Sequence, residues 1–267
     1  MRLLLTLIFL VITLPIVSAQ DIDGKLDEHL TNSIEMKLVC IKSGKFTMGS
    51  PENEAGRARD EAQEEVMLAA DFYLGVHEVT QAQYLRVMGE NPSFFQSDLI
   101  DSSTHPVEQV SWADATEFCR KLSELPIEKS MKRHYRLPKE SEWEYACRAG
   151  SAESFSFGAD LTELGNYGWY LRNSEQKTHP VGKKKPNSWG LFDMHGNVME
   201  MCESERALSP ELDVLNLQRK TKVLLRGGDY FDEPSMCRSA NRLEGIPIDF
   251  RGRTAGFRVV MEIMEDP

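Results

Sequence analysis

The stretch Gly190-Leu-Phe-Asp-Met-His-Gly-Asn-Val-Met-Glu200 ends a part of the chain that lacks regular periodicity. Between Phe155 and Trp189, glycine, asparagine, proline and aromatic residues dominate, without a helical or alternating apolar pattern. Calcium can organise long ordered loops of this kind, because this hard cation takes about six to eight oxygen ligands. The following oxygen-bearing side chains are candidate ligands, although each is also an ordinary turn residue: Asn166, Asn173, Asn187, Asp193, Asn197 and Glu200.

Upstream of these loops, three segments carry helix signals. Thr80 and Gln83 have the spacing of a capping box, and so do Ser111 and Asp114. Apolar residues follow each pair at helical steps, and a third helix opens at Pro138 with acidic residues in its first turn. The predicted helices end at Gly89, before Pro126 and at Gly150.

Strand signals lie closer to the amino terminus. Met36 to Ile41 and Lys45 to Gly49 are short apolar segments separated by a turn at Ser43-Gly44, which predicts a hairpin. Another strand-like segment runs from Val66 to Leu74. Residues 20–35 are polar and acidic without a long apolar face, so we interpret them as a linker or loose arm.

Residues 1–19 differ in composition from the rest and are typical of a secretory signal peptide. Arg2 gives a positive start, Leu3 to Val17 are almost entirely apolar, and Val17-Ser18-Ala19 ends in small residues. The apolar run is shorter than the ~20 residues that span a bilayer. We therefore expect cleavage before Gln20, no membrane anchor afterwards, and a secreted or periplasmic protein.

Length and charge narrow the classes of protein. The 267 residues suit one large domain or two small ones, and 41% hydrophobic residues argue against a disordered chain. The formal net charge of −11 would repel a phosphate backbone. We therefore expect no nucleic-acid partner.

The expected state of the cysteines depends on the redox conditions of the compartment. In an oxidising environment, five cysteines predict one or two disulfides and a remaining thiol, with a pairing that spacing alone leaves open. No Cys-x-x-Cys pair supports a zinc ribbon or a thioredoxin-like redox site. The five are Cys40, Cys119, Cys147, Cys202 and Cys237.

Eight segments occur in one order along the chain: Lys45-Phe-Thr-Met-Gly-Ser50, Glu78-Val-Thr-Gln-Ala-Gln-Tyr84, His105-Pro-Val-Glu-Gln-Val-Ser-Trp112, Tyr135-Arg-Leu-Pro-Lys-Glu-Ser-Glu-Trp-Glu-Tyr145, Gly190 to Glu200, Arg226-Gly-Gly228, Cys237-Arg-Ser-Ala-Asn-Arg242 and Gly256-Phe-Arg258. In these segments the chain resembles the formylglycine-generating-enzyme, or sulfatase-modifying-factor, family from about Met36 to Met261. The resemblance implies an α+β fold: one compact, loop-rich domain of the formylglycine-generating-enzyme variant of the C-type-lectin-like fold. We place this domain at residues 36–262, followed by a tail at 263–267.

The resemblance also implies structural calcium. Family members hold one ion with groups that match the Asp193 side chain, the Gly196 and Val198 carbonyls and the Glu200 carboxylate. A second ion uses the equivalents of Asn166 and of the carbonyl of Tyr167. The alternative is that Asp193 and Glu200 only cap turns.

The copper site of the enzyme is matched only in part. There, two cysteines five residues apart bind Cu(I), and the resemblance places Cys237 at the second position but Asp232 at the first. Thiolates suit Cu(I), whereas carboxylates suit harder ions, so we expect no copper cofactor. Two further pocket positions also differ, with Asp229 in place of a serine and Met199 in place of a tryptophan. Cys237 is then a residual redox thiol, a metal ligand assisted by Asp232, or a core cysteine that could bond to Cys202.

Two functional hypotheses follow from the resemblance. One is an exported module without oxidase activity that binds a sulfatase, another exported protein, a peptide or a glycan. The other is a formylglycine-generating oxidase that converts a sulfatase cysteine, with Cys237 as its catalytic residue. The differences from the enzyme at the pocket positions Asp229, Asp232 and Met199 favour the binding module. The family resemblance alone favours the oxidase.

Overall fold

The computed structural model describes residues 27–96, 101–204 and 223–265. The expected signal peptide lies outside these ranges. None of the helices in them is long and apolar enough to cross a membrane. The strands are β1 (His29–Thr31), β2 (Lys37–Ile41), β3 (Gly44–Met48), β4 (Glu64–Leu68), β5 (Phe72–Gly75), β6 (Arg133–Arg136), β7 (Met199–Glu203), β8 (Val223–Arg226), β9 (Arg242–Ile246), β10 (Ala255–Gly256) and β11 (Val260–Ile263).

The first sheet joins the two ends of the domain. Its strands are all antiparallel and run in the order β1-β2-β5-β11-β6. Leu30 of β1 and Ile34 after it are buried, so residues predicted as a linker form part of the domain. Ile263 pairs with Arg133, so the predicted tail begins one residue too early.

The predicted hairpin of β2 and β3 does not form. β2 is buried along most of its length and lies between β1 and β5, whereas β3 pairs with β4 in a separate two-stranded sheet. Between them, the Asp71 carboxylate, which lies just before β5, accepts hydrogen bonds from Ser43 N and Lys42 Nζ, both at 2.8 Å. The predicted strand from Val66 to Leu74 is likewise two strands, β4 and β5.

The three predicted helices are confirmed. Both capping boxes are present, at Thr80 with Gln83 and at Ser111 with Asp114, and Gly89 ends the first helix in the left-handed conformation. The helix predicted at Pro138 begins two residues later. The helices are α1 (Gln81–Met88), α2 (Trp112–Glu124), α3 (Pro126–Ser130), α4 (Glu140–Arg148) and α5 (Leu164–Tyr167), with 3-10 helices at Leu161–Glu163 and Pro234–Cys237.

Helix α4 connects the first sheet to the second, whose strand order is β10-β7-β8-β9. Its Glu140 carboxylate accepts from Arg242 Nε at 2.7 Å and from Arg226 Nη1 at 3.3 Å. Its Trp143 side chain is fully buried and donates through Nε1 to Glu200 at 2.8 Å. Buried charges are therefore paired across the elements that frame the carboxy-terminal loops.

The structure shows none of the expected disulfides: all five cysteines lie in the described ranges, and each is a buried free thiol. Cys202 packs in the core beside Trp143, whereas Cys237 packs with Phe155 and Leu164 in a separate cluster. The structure therefore does not show the bond between Cys202 and Cys237.

Candidate functional site

Two glycines place the candidate pocket at the end of β8. Gly227 and Gly228 have φ of 93° and 70°, values in the left-handed region that favours glycine. A Cβ on Gly228 would lie 2.8 Å from Cys237 Sγ and 2.9 Å from the Met236 carbonyl oxygen. This close approach brings the turn after β8 against Cys237.

The turn holds two carboxylates beside the cysteine. Asp229 is buried and its Oδ1 accepts from Phe231 N at 2.6 Å, while Asp232 Oδ2 accepts from Asp229 N at 3.1 Å. Burial and the charge of Asp232 raise the pKa of Asp229 to about 7, and burial also raises the pKa of Asp232. The structure therefore brings together Asp229, Asp232 and Cys237 at this turn.

Met199 borders the same turn through its backbone. Met199 N donates to the Thr254 carbonyl oxygen at 2.8 Å, and the Thr254 side chain is hydrogen-bonded to Asp229. The half-buried Met199 side chain packs against the larger hydrophobic cluster.

The residues present do not fit a dithiolate copper site. Cys237 is fully buried, and burial together with the charges of Asp232 and Asp229 raises its thiol pKa well above the ordinary value. Thiolate formation is therefore disfavoured. The partner side chain is the carboxylate of Asp232, a hard donor that Cu(I) does not prefer.

A third carboxylate, which the sequence did not single out, lies near this turn. Glu108 is fully buried, and its Oε1 accepts from Phe95 N at 2.8 Å. The Phe95 ring makes an edge contact with Tyr230 at a centroid distance of 5.3 Å. Burial raises the pKa of Glu108 to about 7, and Glu108 Oε2 has no hydrogen-bond partner. Glu108 stands within the motif His105 to Trp112, but only its burial in the fold marks it as unusual.

The predicted calcium ligands fall into two places. Asp193 is buried, with Oδ2 accepting from Gly182 N at 2.7 Å and Oδ1 without a partner. Glu200 is also buried, but it already accepts from Trp143 and Arg258, including Arg258 Nη2 at 2.6 Å. Burial raises the pKa of Asp193 to about 6. Asp193 thus fits a cation, whereas the charge of Glu200 is already balanced by Arg258.

Gly196 and Val198, whose backbone carbonyls the resemblance assigns to the same calcium ion, are closely packed or buried. Val198 is fully buried, and a Cβ on Gly196 would lie 2.2 Å from the Trp169 carbonyl oxygen. Beside them, the buried Glu78 accepts from Asn197 Nδ2 at 3.1 Å through Oε1, while its Oε2 has no partner. Glu78 is a second buried carboxylate here that the sequence did not single out.

The second predicted calcium position has a different environment. Asn166 is exposed, its Nδ2 donates to Glu163 Oε2 at 2.8 Å, and its carbonyl accepts from Lys185 N at 2.8 Å. The Tyr167 ring stacks on Phe157 at 4.4 Å. Within the described ranges, no three His, Cys, Asp or Glu side chains are arranged to hold a metal ion.

A family model for the sulfatase-modifying factor enzyme 1-like domain matches residues 26–263. The chain belongs to this family. The formylglycine-generating enzyme of Streptomyces coelicolor is 34% identical over 62% of the chain and 56% of its own length. The chaperone protein LppX of Paenibacillus barcinonensis is 31% identical over 50% of the chain and 62% of its own length. The chain thus spans less than two thirds of these curated relatives.

Solved structures of the same fold support this membership. Treponema denticola variable protein 1 is 28% identical and superposes with a TM-score of 0.72 over 87% of the chain and 97% of its own length. PvdO from Pseudomonas aeruginosa is also 28% identical, with a TM-score of 0.72 over 88% of the chain and 97% of its length. The predicted α+β fold is confirmed as one compact domain of the formylglycine-generating-enzyme type, a variant of the C-type-lectin-like fold.

Proposed function

We propose that this family member is an exported ligand-binding module without copper-oxidase activity. The observation that carries the proposal is the pair formed by Asp232 and the buried Cys237 at the positions of the enzyme's two copper ligands. A carboxylate and a protonated thiol do not supply the two soft donors that Cu(I) requires. The ligand would be a protein such as a sulfatase, a peptide or a glycan, bound by the loops around this pair.

The alternative function is formylglycine generation, which family membership and the Streptomyces coelicolor relative favour. It requires Cys237 to become exposed and deprotonated and a second thiol to reach it. The fully buried position of Cys237 opposes both requirements.

Copper stoichiometry separates the two functions. The reduced protein is titrated with Cu(I), and a peptide of the pattern Cys-x-Pro-x-Arg is followed by mass spectrometry for aldehyde formation. We expect neither tight copper binding nor conversion. Asp232→Cys provides the matched control, because it restores the sulfur and should increase copper affinity over the unchanged chain. One tight equivalent of copper in the unchanged chain, lost in Cys237→Ser, would reject the binding-module function.

Structural calcium and export belong to the same proposal. The unpartnered Asp193 Oδ1 supports a cation near the loops, and the composition of residues 1–19 supports secretion or a periplasmic location. We expect chelation by EDTA to lower the melting temperature by several degrees and added calcium to restore it. An unchanged transition would contradict the calcium assignment.

A further inference from the structure

A cavity of about 510 Å³ lies beside β4. Residues 64–72, which include all of β4, form one wall, and the opposite wall consists of Arg136 of β6, the first residues of α4 and Glu262 of β11. Of β3, only Met48 lines the cavity, so the cavity lies on the side of β4 that faces away from β3. Its volume is within the range of ligand pockets, ~300–1,000 Å³.

The edge of β4 that faces this cavity is unpaired. Among the described strands, β4 pairs with β3 alone, with Leu68 opposite Gly44 and Glu64 opposite Met48. Alternate residues of such a strand direct their backbone N–H and C=O groups away from the partner strand. In the described ranges, residues 65–70 form no backbone hydrogen bond outside the pairing with β3. A row of donors and acceptors without protein partners therefore borders the cavity.

The composition of β4 leaves this edge open to another strand. Proteins protect an exposed edge with proline, charged residues, a bulge or a covering segment. β4 begins with Glu64 and Glu65, but the stretch from Val66 to Ala70 contains neither proline nor charge, and its pairing with β3 has no bulge. Met67 is 57% exposed. Such an edge can accept an extended peptide as an added strand.

The charge of the cavity indicates which kind of strand fits. Two carboxylates of the lining have cations of their own outside the cavity, because Asp71 pairs with Lys42, and Glu140 pairs with Arg226 and Arg242. The remaining charged residues of the lining are four carboxylates and two cations, namely Glu64, Glu65, Glu142 and Glu262 with Arg136 and Lys139. The described lining therefore has a formal excess of two negative charges.

Arg136 is already shared between two of these carboxylates. Its Nη1 and Nη2 donate to the two oxygens of Glu142, both at 2.7 Å, and its Nε donates to Glu262 at 3.1 Å. The Glu262 side chain remains 38% exposed, and Glu65 on the opposite wall is exposed as well. Cationic side chains of an added strand can therefore approach carboxylates on both walls.

The same charges argue against a second copy of this chain as the added strand. Pairing of β4 with itself around a two-fold axis would bring two negative walls together, which is unfavourable. A segment with basic side chains is instead attracted. Val66 and Leu68 pack against the cluster that includes Trp143 of α4, so side chains of the added strand on that face would meet the start of α4. Because side chains alternate, basic residues are expected at every second position.

We propose that β4 binds an extended segment of another protein as an added strand, with basic side chains at alternate positions. Main-chain hydrogen bonds to β4 would supply affinity, and the carboxylates on the two walls would supply specificity. The described lining residues do not include the turn after β8. The added strand is therefore independent of the ligand proposed for that turn.

Fluorescence anisotropy with labelled peptides tests the proposal on the full chain at neutral pH and low salt. The probe is acetyl-Thr-Lys-Val-Lys-Val-Lys-Thr-amide, and the peptide with glutamate in place of lysine is its control. We expect saturable binding of the lysine peptide alone. Two further peptides carry N-methyl groups on the lysine nitrogens or on the valine nitrogens of the backbone. One of them should lose binding and the other keep it, because only every second N–H of an added strand points at β4.

Hydrogen exchange and two double variants locate the bound peptide. The lysine peptide should slow amide exchange in residues 64–70 and leave the turn at 227–232 unchanged. Glu65→Gln with Glu262→Gln should weaken binding about three- to tenfold, because a charge is lost from each wall. Glu117→Gln with Glu124→Gln removes two exposed charges on α2 and should leave the affinity unchanged.

Several results would overturn the proposal: no saturable binding, equal affinity for the lysine and glutamate peptides, equal affinity of the two N-methylated peptides, or equal weakening by the α2 variant. Slower exchange of residues 64–70 that grows with protein concentration in the absence of peptide would assign the edge to a second copy instead. Thermal melting verifies that each variant is folded, and the peptide comparisons decide the matter without any variant. Copper titration tests the proposed function separately.

Discussion

Replacing Glu108 by glutamine should change how stability depends on pH. Burial raises the pKa of Glu108 from the ordinary 4.5 to about 7, while hydrogen bonds from the Phe95 and Phe94 backbone and the charge of Arg253 lower it. Because the folded state keeps a proton that the unfolded state releases, stability falls as pH rises from about 4.5 to about 7. The difference between the two pKa values, at about 1.4 kcal/mol per pH unit, gives about 3 kcal/mol.

Glu108→Gln cannot ionise but keeps an oxygen that can accept from Phe95 N. The free energy of unfolding of this variant should therefore rise relative to the unchanged chain by about 3 kcal/mol between about pH 4 and pH 8. Urea unfolding across this range measures the difference. Glu117→Gln, on the surface of α2, should give a profile parallel to that of the unchanged chain. Parallel profiles for Glu108→Gln as well would refute the reasoning.

Two other substitutions test the frame of the site. Arg258→Leu leaves Glu200 buried without its cation and should lower the free energy of unfolding by about 3–5 kcal/mol. Urea unfolding measures this loss, and a loss below about 1 kcal/mol would show that the ion pair is dispensable. Gly228→Ala places a Cβ against Cys237 at a φ of 70° and should cost about 1–3 kcal/mol more than Gly150→Ala, where φ is 89° but nothing lies within 4 Å. Equal losses in the two alanine variants would mean that backbone strain, and not the close approach, decides the cost.

Local signals in the sequence were sufficient for the helices but not for strand partners. The capping boxes of α1 and α2 are complete within four residues, so the sequence contains both the donor and the acceptor. β2 pairs instead with β1 and β5, and β5 lies about 30 residues further along the chain, beyond the reach of a local turn signal. Pairing between distant segments therefore had to be seen in the structure.

The candidate site shows the same limit. Asp229, Asp232 and Cys237 are close in sequence, and the family resemblance was sufficient to place them together. Glu108 is far from them in the chain, and its pattern in the sequence resembles that of any polar residue before a helix. Its importance comes from burial and from the absence of a partner for Oε2, which only the packed molecule determines.

The ion pairs of helix α4 have a consequence for how members of this family can diverge. Glu140 and Trp143 fasten the helix to Arg226, Arg242 and Glu200, so replacing one of these residues strands a charge or a polar atom in the interior. The turn after β8, around which we propose that a ligand binds, starts beside this scaffold. Under the proposed function, ligand preference would change through exchange of loop side chains, while the buried ion pairs of the scaffold tolerate few substitutions.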